Sequence, residues 1–289
     1  MKKKLIISLL ASASLLGSVM TATSANAANL SGKIIAGGST AIQPLVQQAS
    51  LEFMAKNPGV QVTVQGGGSG VGLTQVGAGT FQIGNSDIFA EEKSGIEASK
   101  LSDYKVAVVG FAPIVNSKTS VSNLSKQQLI DVFTGKITNW KEVGGKDQAI
   151  TVIGRTAGSG TRVNFDKLAL DGATEVSGPT QDASGSVVTM VGQTPGAISY
   201  VAMSYVNSGK NIKSLSIDKV KATPANVKSN AWKIWSYEHM YLNKSKATSA
   251  QKAFIKYVTS SEKDINKLGY ISISSMKVSR SVDGTITKK

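Results

Sequence analysis

The stretch "QGGGSGVGLTQVGAGTFQIGNSDIF", residues 65–89, joins a predicted strand to a helix after Ser69 and then to a further strand. Five of the seven residues from 66 to 72 are glycines, and glycine serves where the backbone must turn sharply or approach another group closely. A lone carboxylate, Asp87, stands near the end of the stretch. Together with "KIIAGG" at residues 33–38 and the helix after it, the segment alternates strands and helices and predicts an open α/β sheet.

The helix upstream of this stretch is expected to start near Ser39 or Thr40, either of which could cap it, and to end at "NPG", residues 57–59. Pro44 fits its first turn. Its apolar side chains recur at helical spacing and define one face, namely Ile42, Leu45, Val46, Ala49 and Phe53. The segment "VQVTVQ" at 60–65 then alternates as a strand, and "FQIGNSD" at 81–87 is the third strand.

A second α/β unit is expected after the long apolar strand at residues 104–116. Its predicted elements are helices at 125–133, 159–170 and around 187–191, a strand "AITVIGR" ending at Arg155, and a strand "AISYVAM". The segment 231–244 could carry the chain back before an amphipathic closing helix at 249–260. We therefore predict a first lobe at 28–113, a second lobe at 114–235 and a return to the first lobe at 236–289, with a hinge where the chain crosses twice.

The first residues predict export. Lysines at positions 2–4, an apolar run at 5–20 and "SANA" at 24–27 follow the order of a secretory signal peptide, residues 1–27. The run falls short of the ~20 apolar residues that span a bilayer. We therefore expect the protein in a periplasm or at the cell surface. The sequence contains no cysteine, which excludes disulfides, thiolate metal sites and a lipid attached through cysteine.

Charge narrows the range of partners. Removal of the signal peptide takes away three lysines and lowers the formal net charge from +14 to +11. A basic protein favours anionic partners such as wall polymers, lipid headgroups or small anions. The lysines are scattered, with no basic helix carrying interleaved aromatic residues, so we expect no nucleic-acid binding. A solvated basic surface is the simpler interpretation.

Three predicted strand-to-helix junctions are rich in Gly, Ser and Thr: "GGSTA" at 37–41, "GGGSG" at 66–70 and "RTAGSGTR" at 155–162. In an open α/β sheet the ligand lies beyond the carboxyl ends of the strands, where helices begin. A helix start offers free backbone N–H groups and a partial positive charge. Each junction alone is usually ordinary capping. Together with the guanidinium of Arg155 they predict a cradle for a tetrahedral oxyanion.

Other phosphate-binding and catalytic motifs do not match the residue spacing of this sequence. There is no G-x-x-x-x-G-K-[ST] phosphate loop, and neither Ser69 nor Ser159 lies in G-x-S-x-G. His239 is the sole histidine, and its place between aromatic residues indicates a packed or surface role rather than catalysis. One histidine without cysteine makes a zinc site improbable. We expect no cofactor, no catalytic residue and no metal.

Four segments carry a family resemblance: "AGGSTAIQPLVQQAS", "VQGGGSGVGLTQVGAGTFQIGNSDIFAEE", "LSKQQLIDVFTGKITNWKEVGG" and "GRTAGSGTRVNF". The chain resembles the phosphate-binding protein of bacterial phosphate ABC importers. The resemblance implies a type II periplasmic-binding-protein fold, in which two lobes, each an open and mostly parallel sheet flanked by helices, are joined by two crossing strands. It further implies a monomer that closes over one inorganic phosphate and serves an ABC permease.

The resemblance also assigns ligand contacts by position. From the first lobe these are Thr40, the backbone N–H of Ala41, Ser69 and Asp87, and from the second lobe Arg155, Ser159, Gly160 and Thr161. One departure is the missing lipobox cysteine, since Gram-positive members are commonly lipoproteins. Retention near a permease would then need another means, such as electrostatic association with anionic wall or membrane polymers.

The resemblance also implies a role for Asp87 in ligand selection. Phosphate near neutral pH keeps a proton that a carboxylate can accept, whereas sulfate has none, so Asp87 would act as a filter. Its alternative role is a helix N-cap before "IFAEE". The alternative functions are a receptor for arsenate, sulfate or molybdate, an exported phosphatase or other hydrolase, and a basic surface protein that holds wall polymers.

Overall fold

The computed structural model describes residues 30–207 and 209–289. The predicted signal peptide therefore lies outside the described residues. Within the described ranges, none of the helices is both long and apolar enough to cross a membrane.

The described chain alternates strands and helices for most of its length. The strands are β1 Gly32–Gly38, β2 Val60–Gly67, β3 Ile83–Ser86, β4 Leu101–Asn116, β5 Asn123–Leu124, β6 Thr151–Val152, β7 Gly154–Arg155, β8 Thr180–Gln181, β9 Ala197–Ala202, β10 Ile212–Ser214, β11 Ser216–Ile217, β12 Trp235–Asn243, β13 Val278–Arg280 and β14 Ile286–Lys288. The α-helices are α1 Gln43–Lys56, α2 Ser69–Ala78, α3 Lys126–Phe133, α4 Gly160–Ala169, α5 Ser184–Gln193, α6 Pro224–Lys228, α7 Ser249–Ser260 and α8 Glu262–Lys267.

The main sheet has the strand order β2-β1-β3-β12-β4-β9-β6, with β10 also paired to β4. Strands β1, β2 and β3 are parallel, as the alternating pattern predicts, and β12 runs antiparallel between β3 and β4. Strand β4 bonds to β12 along residues 101–110 and to β9 along residues 111–115. The α/β class is confirmed. The lobe boundaries at 113/114 and 235/236 fall within β4 and at the start of β12, and they stay a prediction.

Apolar faces hold the helices on the sheet. All five residues of the predicted α1 face are buried, which confirms the helical spacing. On the same side, the rings of Phe53 and Phe254 lie 5.2 Å apart between α1 and α7. Further along the sheet, Phe165 of α4 stacks on Tyr200 of β9, with centroids 4.1 Å apart. The stacking of Phe165 on Tyr200 holds α4 on the sheet, and with it the loop that joins α4 to β7 and Arg155.

Two element predictions are wrong. "AITVIGR" is not one strand, because the chain leaves the main sheet after Ile153, whose N–H still bonds to the carbonyl of Ile198. Gly154 turns instead to the carbonyl of Pro179, and β7 pairs with β8, which brings Arg155 beside Gln181. Helix α7 does not close the chain either, since α8, β13 and β14 follow it.

The predicted cap of α1 is also wrong. The helix begins at Gln43 after Ile42, with no side-chain cap, and Pro44 lies in its first turn as expected. The hydroxyl of Ser39 donates to Asp87, and that of Thr40 contacts Ser184. These two hydroxyls therefore bond to other elements, to Asp87 after β3 and to Ser184 at the start of α5, rather than to the first turn of α1.

Candidate anion-binding site

The predicted junctions meet although they follow strands of opposite direction, because β1–β3 run antiparallel to β9 and β6, and β7 lies outside the main sheet. The β1–α1 loop touches the second part of the molecule through Thr40, whose Oγ1 accepts a 3.4 Å hydrogen bond from Nη2 of Arg155. Ser69, at the start of α2, lies against Gly160 at the start of α4. The structure thus brings together the eight site residues predicted from the sequence, and all eight are buried: Thr40, Ala41, Ser69, Asp87, Arg155, Ser159, Gly160 and Thr161.

Asp87 lies at the centre of these contacts, directly after β3. Its carboxylate accepts hydrogen bonds from the hydroxyl of Ser39 and, at 2.9 Å, from that of Thr161. Its backbone N–H donates to Oγ of Ser69 at 2.9 Å, and its carbonyl accepts from Nδ2 of Asn164 at 2.8 Å. Asp87 does not cap a helix, because the short 3-10 helix Ala90–Glu92 begins after Phe89. The capping alternative is therefore wrong.

Arg155 supplies the buried positive charge, with 1% of its surface exposed. Its Nε donates to the carbonyl of Gln181 at 3.1 Å and its Nη2 to that of Asp182 at 3.0 Å. Burial lowers the pKa of the guanidinium, because desolvation disfavours the cation, while nearby Asp87 acts in the opposite direction. Arginine nevertheless stays protonated in proteins. Nη1 is buried with no partner among the described residues, so Arg155 has a donor to offer to an anion.

The helix starts around Arg155 are well defined. Oγ of Ser159 caps α4 by accepting from the N–H of Arg162 at 3.3 Å, so its own proton is available to a ligand. The N–H of Ala41 donates locally, to Oγ of Ser39 at 3.0 Å. The positive ends of α2 and α4 both point into the cluster, which favours negative charge there.

Close packing of backbones explains the glycines of the opening stretch. A side chain at Gly72 would collide with the backbone oxygens of Asn85 and Gly37. A side chain at Gly160 would strike both Ser69 and Asp87. The glycines therefore let α2 and α4 start against neighbouring strands, and this brings the hydroxyls and the carboxylate within hydrogen-bonding distance of one another.

Sequence reasoning missed several residues of the site. Ser184 opens α5 and donates its backbone N–H to Oγ1 of Thr40 at 3.1 Å. "SGS" at residues 184–186 is a further Gly/Ser-rich helix start, and this signal could have identified it. Asn164 and Tyr205 were also missed; the Tyr205 hydroxyl donates to the carbonyl of Thr40 at 2.7 Å. Glu238, fully buried on β12, was missed because only strand register brings it to the site.

A cavity of about 610 Å³ opens beside Thr40 and Gln181, two residues that contact Arg155. Its lining side chains, which include Gln43 and Tyr205, are all uncharged. The cavity therefore adjoins two partners of the buried guanidinium and places no charged side chain at this side of the site.

His239 has a packed role. It is fully buried, its Nδ1 lies 2.7 Å from the Asp103 carboxylate, and its ring stacks on Tyr241. Within the described ranges no group of three or more His, Cys, Asp or Glu side chains could hold a metal ion. Ser69, whose Oγ accepts from the Asp87 backbone, has no histidine partner in the site.

Comparisons with known sequences place these features in context. Residues 23–262 match the family model described as the PBP superfamily domain. The chain is 49% identical over 259 residues to the phosphate-binding protein PstS of Bacillus subtilis, and the alignment covers 88% of this chain and 85% of that protein.

Solved structures agree with the sequence comparison. A Clostridium perfringens chain, assigned to phosphate ABC transporters as their substrate-binding protein and solved with bound phosphate, has a TM-score of 0.77 at 29% identity. The superposition covers 84% of this chain and all of that one. An ABC-type phosphate transport receptor from Vibrio cholerae has a TM-score of 0.65 at 28% identity, covering 82% and 99% of the two chains.

Proposed function

This chain belongs to the PBP superfamily and, within it, to the phosphate-binding proteins, and we propose that it captures inorganic phosphate between two lobes and delivers it to the permease of an ABC importer. One observation carries the proposal: the buried guanidinium of Arg155, with an unpartnered N–H, lies in one site with the buried carboxylate of Asp87. As a member of this family, the protein binds its ligand and does not convert it.

We assign the ligand contacts by chemistry. Arg155 provides the positive charge, and the hydroxyls of Thr40, Ser69 and Ser159 and the backbone N–H of Gly160 provide neutral donors. The Thr161 hydroxyl, which bonds to Asp87, and the Ala41 N–H, which bonds to Ser39, join the cradle by exchanging those partners for the ligand. Hydrogen bonds to a charged ligand are about twice as strong as neutral ones, so even a mostly neutral donor set can hold an anion.

Asp87 is proposed to accept the proton of phosphate. Its negative charge would repel a bare anion, and Arg155 and the helix ends offset that repulsion. Arsenate also carries a proton and is the strongest competing ligand, whereas sulfate and molybdate offer none to Asp87 near neutral pH. Calorimetric titration of the mature protein with phosphate, sulfate and molybdate tests the assignment. Heat of binding with sulfate or molybdate but not phosphate would overturn it.

The lobes are expected to close on the ligand. In the proposed division, Thr40, Ser69 and Asp87 belong to one lobe and residues 155–161 to the other, so a ligand that contacts both groups draws them together. Small-angle scattering of the mature protein should give a modestly smaller radius of gyration with phosphate than without. Tight binding with an unchanged radius would contradict a two-lobe clamp.

We also propose that the mature protein is exported, acts as a monomer, and is held at its permease without a lipid on cysteine. A formal charge of +11 can bind it to anionic wall or membrane polymers. Such attraction is screened above ~0.1 M salt, so washing intact cells with concentrated salt should release the protein. Retention through such a wash would indicate a protein anchor or enclosure in a periplasm.

A further inference from the structure

Glu238 lies beside Asp87 in the main sheet. Strand β12 pairs with β3 so that His239 faces Ser86 and Met240 faces Asn85. Continued by one residue, this register sets Glu238 opposite Asp87. Directly opposed residues of an antiparallel pair share a face, with Cβ atoms about 4.5–5.5 Å apart. Two carboxyl groups therefore lie side by side in the interior, because Glu238 is 0% and Asp87 1% exposed.

The two carboxyl groups differ in their hydrogen bonds. Asp87 accepts hydrogen bonds from the hydroxyls of Ser39 and Thr161. Both carboxyl oxygens of Glu238 are buried and receive no hydrogen bond from a donor among the described residues, so Asp87 is the one group to which a protonated Glu238 could donate. An isolated buried charge is costly, and such a group takes up a proton instead. Burial raises the pKa of Glu238 well above its ordinary value, and the charge of Asp87 raises it further.

The groups that face Glu238 offer no positive charge to compensate it. Besides Asp87 they are Tyr205 and Tyr270, whose hydroxyls donate to the carbonyls of Thr40 and Ala41 at 2.7 and 2.5 Å. Burial raises the pKa of Tyr205 to about 12 and that of Tyr270 well above its ordinary value, so both stay neutral. The next residue of β12, His239, pairs with Asp103 instead.

We propose that Glu238 is a positioning residue that holds a proton beside Asp87, so that the two carboxyl groups carry a single negative charge and the site remains open to phosphate. The proposal rests on the proposed function and deepens it. With Glu238 neutral, Asp87 remains the acceptor for the phosphate proton. If Glu238 were ionised as well, two negative charges would face the single guanidinium of Arg155, and a phosphate dianion would be repelled.

The first test needs no phosphate and compares wild type with Glu238→Gln, a neutral variant of nearly equal shape. The folded wild type keeps a proton that the unfolded chain releases above about pH 4.3. Its unfolding constant should therefore rise about tenfold per pH unit relative to the variant, from about pH 5 up to the folded-state pKa of Glu238. Glu175, whose pKa burial raises to about 7, titrates in both proteins and cancels. If the unfolding constants of wild type and Glu238→Gln change with pH in the same way, the proposal is wrong.

The second test measures phosphate affinity from about pH 8 to 10, where free phosphate is mainly the dianion. Wild-type affinity should fall, by up to about tenfold per pH unit once Glu238 ionises. Glu238→Gln should show no such fall, apart from changes that both proteins share. Glu238→Met, also neutral, must show the same flat profile, and it replaces the Gln variant if that protein does not fold.

Two outcomes separate this proposal from the function it rests on. If the variant binds phosphate more than about tenfold tighter than wild type at pH 7, Glu238 is ionised in the folded protein and the proposal is wrong. If neither protein binds phosphate, the proposed function fails, while the unfolding curves still decide whether Glu238 holds a proton.

Discussion

Arg155→Ala should weaken phosphate binding by about 30-fold or more. Arg155 is buried, and its carbonyl partners Gln181 and Asp182 hold the guanidinium in place while Nη1 stays without a partner. Truncation of a buried, hydrogen-bonded charge pair costs about 2–5 kcal/mol, and each tenfold step in affinity corresponds to about 1.4 kcal/mol. Calorimetric titration of the folded variant with phosphate measures the loss.

Arg162 provides the matched control. It lies two residues into α4, and about a third of its side chain is exposed. Its Nη1 donates to the carbonyl of Arg155 at 2.8 Å, and its Nε lies 3.4 Å from Asp166 and 3.9 Å from Glu175. The Arg162 side chain reaches the site only at the backbone carbonyl of Arg155. We therefore expect Arg162→Ala to reduce phosphate affinity less than Arg155→Ala does. A larger loss in the Arg162 variant would show that the ligand arginine is wrongly assigned.

Asp87→Asn should narrow the preference for phosphate over sulfate. A site that pairs with a proton of its ligand leaves a buried acceptor unmatched when an analogue lacks that proton, and such discrimination can reach about 10⁴–10⁵-fold. Sulfate in large excess should therefore fail to displace phosphate from the wild-type protein. Asparagine can turn an N–H toward a bare sulfate oxygen, so the variant should bind sulfate detectably. Competition titrations of the wild type and of Asp87→Asn measure the ratio of phosphate affinity to sulfate affinity in each protein.

The same pair of proteins supplies the controls for the filter. Both the singly and the doubly charged forms of phosphate carry a proton, so wild-type affinity should vary little between about pH 6 and 8. Thermal unfolding compares the stability of Asp87→Asn with that of the wild type, because the substitution alters the carboxylate that accepts from Ser39 and Thr161. Wild-type protein that binds sulfate as tightly as phosphate would remove the basis for the filter and for the choice of ligand.

Topology made much of the site predictable. Ser69 and Thr161 could be predicted as site residues because each lies at the start of a helix that follows a strand, the position where open α/β sheets bind their ligands. Arg155 was predictable because it precedes such a start in sequence. For the same reason, the α1 face and the first parallel strands follow from apolar spacing alone.

What could not be predicted depends on pairing between distant segments. Glu238 is 151 positions from Asp87 in sequence, and only the register of β12 against β3 sets them side by side. The break between β6 and β7 depends on Pro179, whose carbonyl draws Gly154 away from the main sheet. The hydroxyls of Ser39 and Thr40 match a helix cap in sequence, but partners on other loops compete for them.

Strand β4 belongs to both halves of the sheet, because it bonds to β12 along its first ten residues and to β9 along the next five. In the proposed two-lobe division, a rotation of one lobe against the other would have to be taken up by β4 and by the second crossing before β12. Because β4 is hydrogen-bonded along nearly its whole length, we expect twisting of this strand to cost less than breaking its pairing with either neighbour.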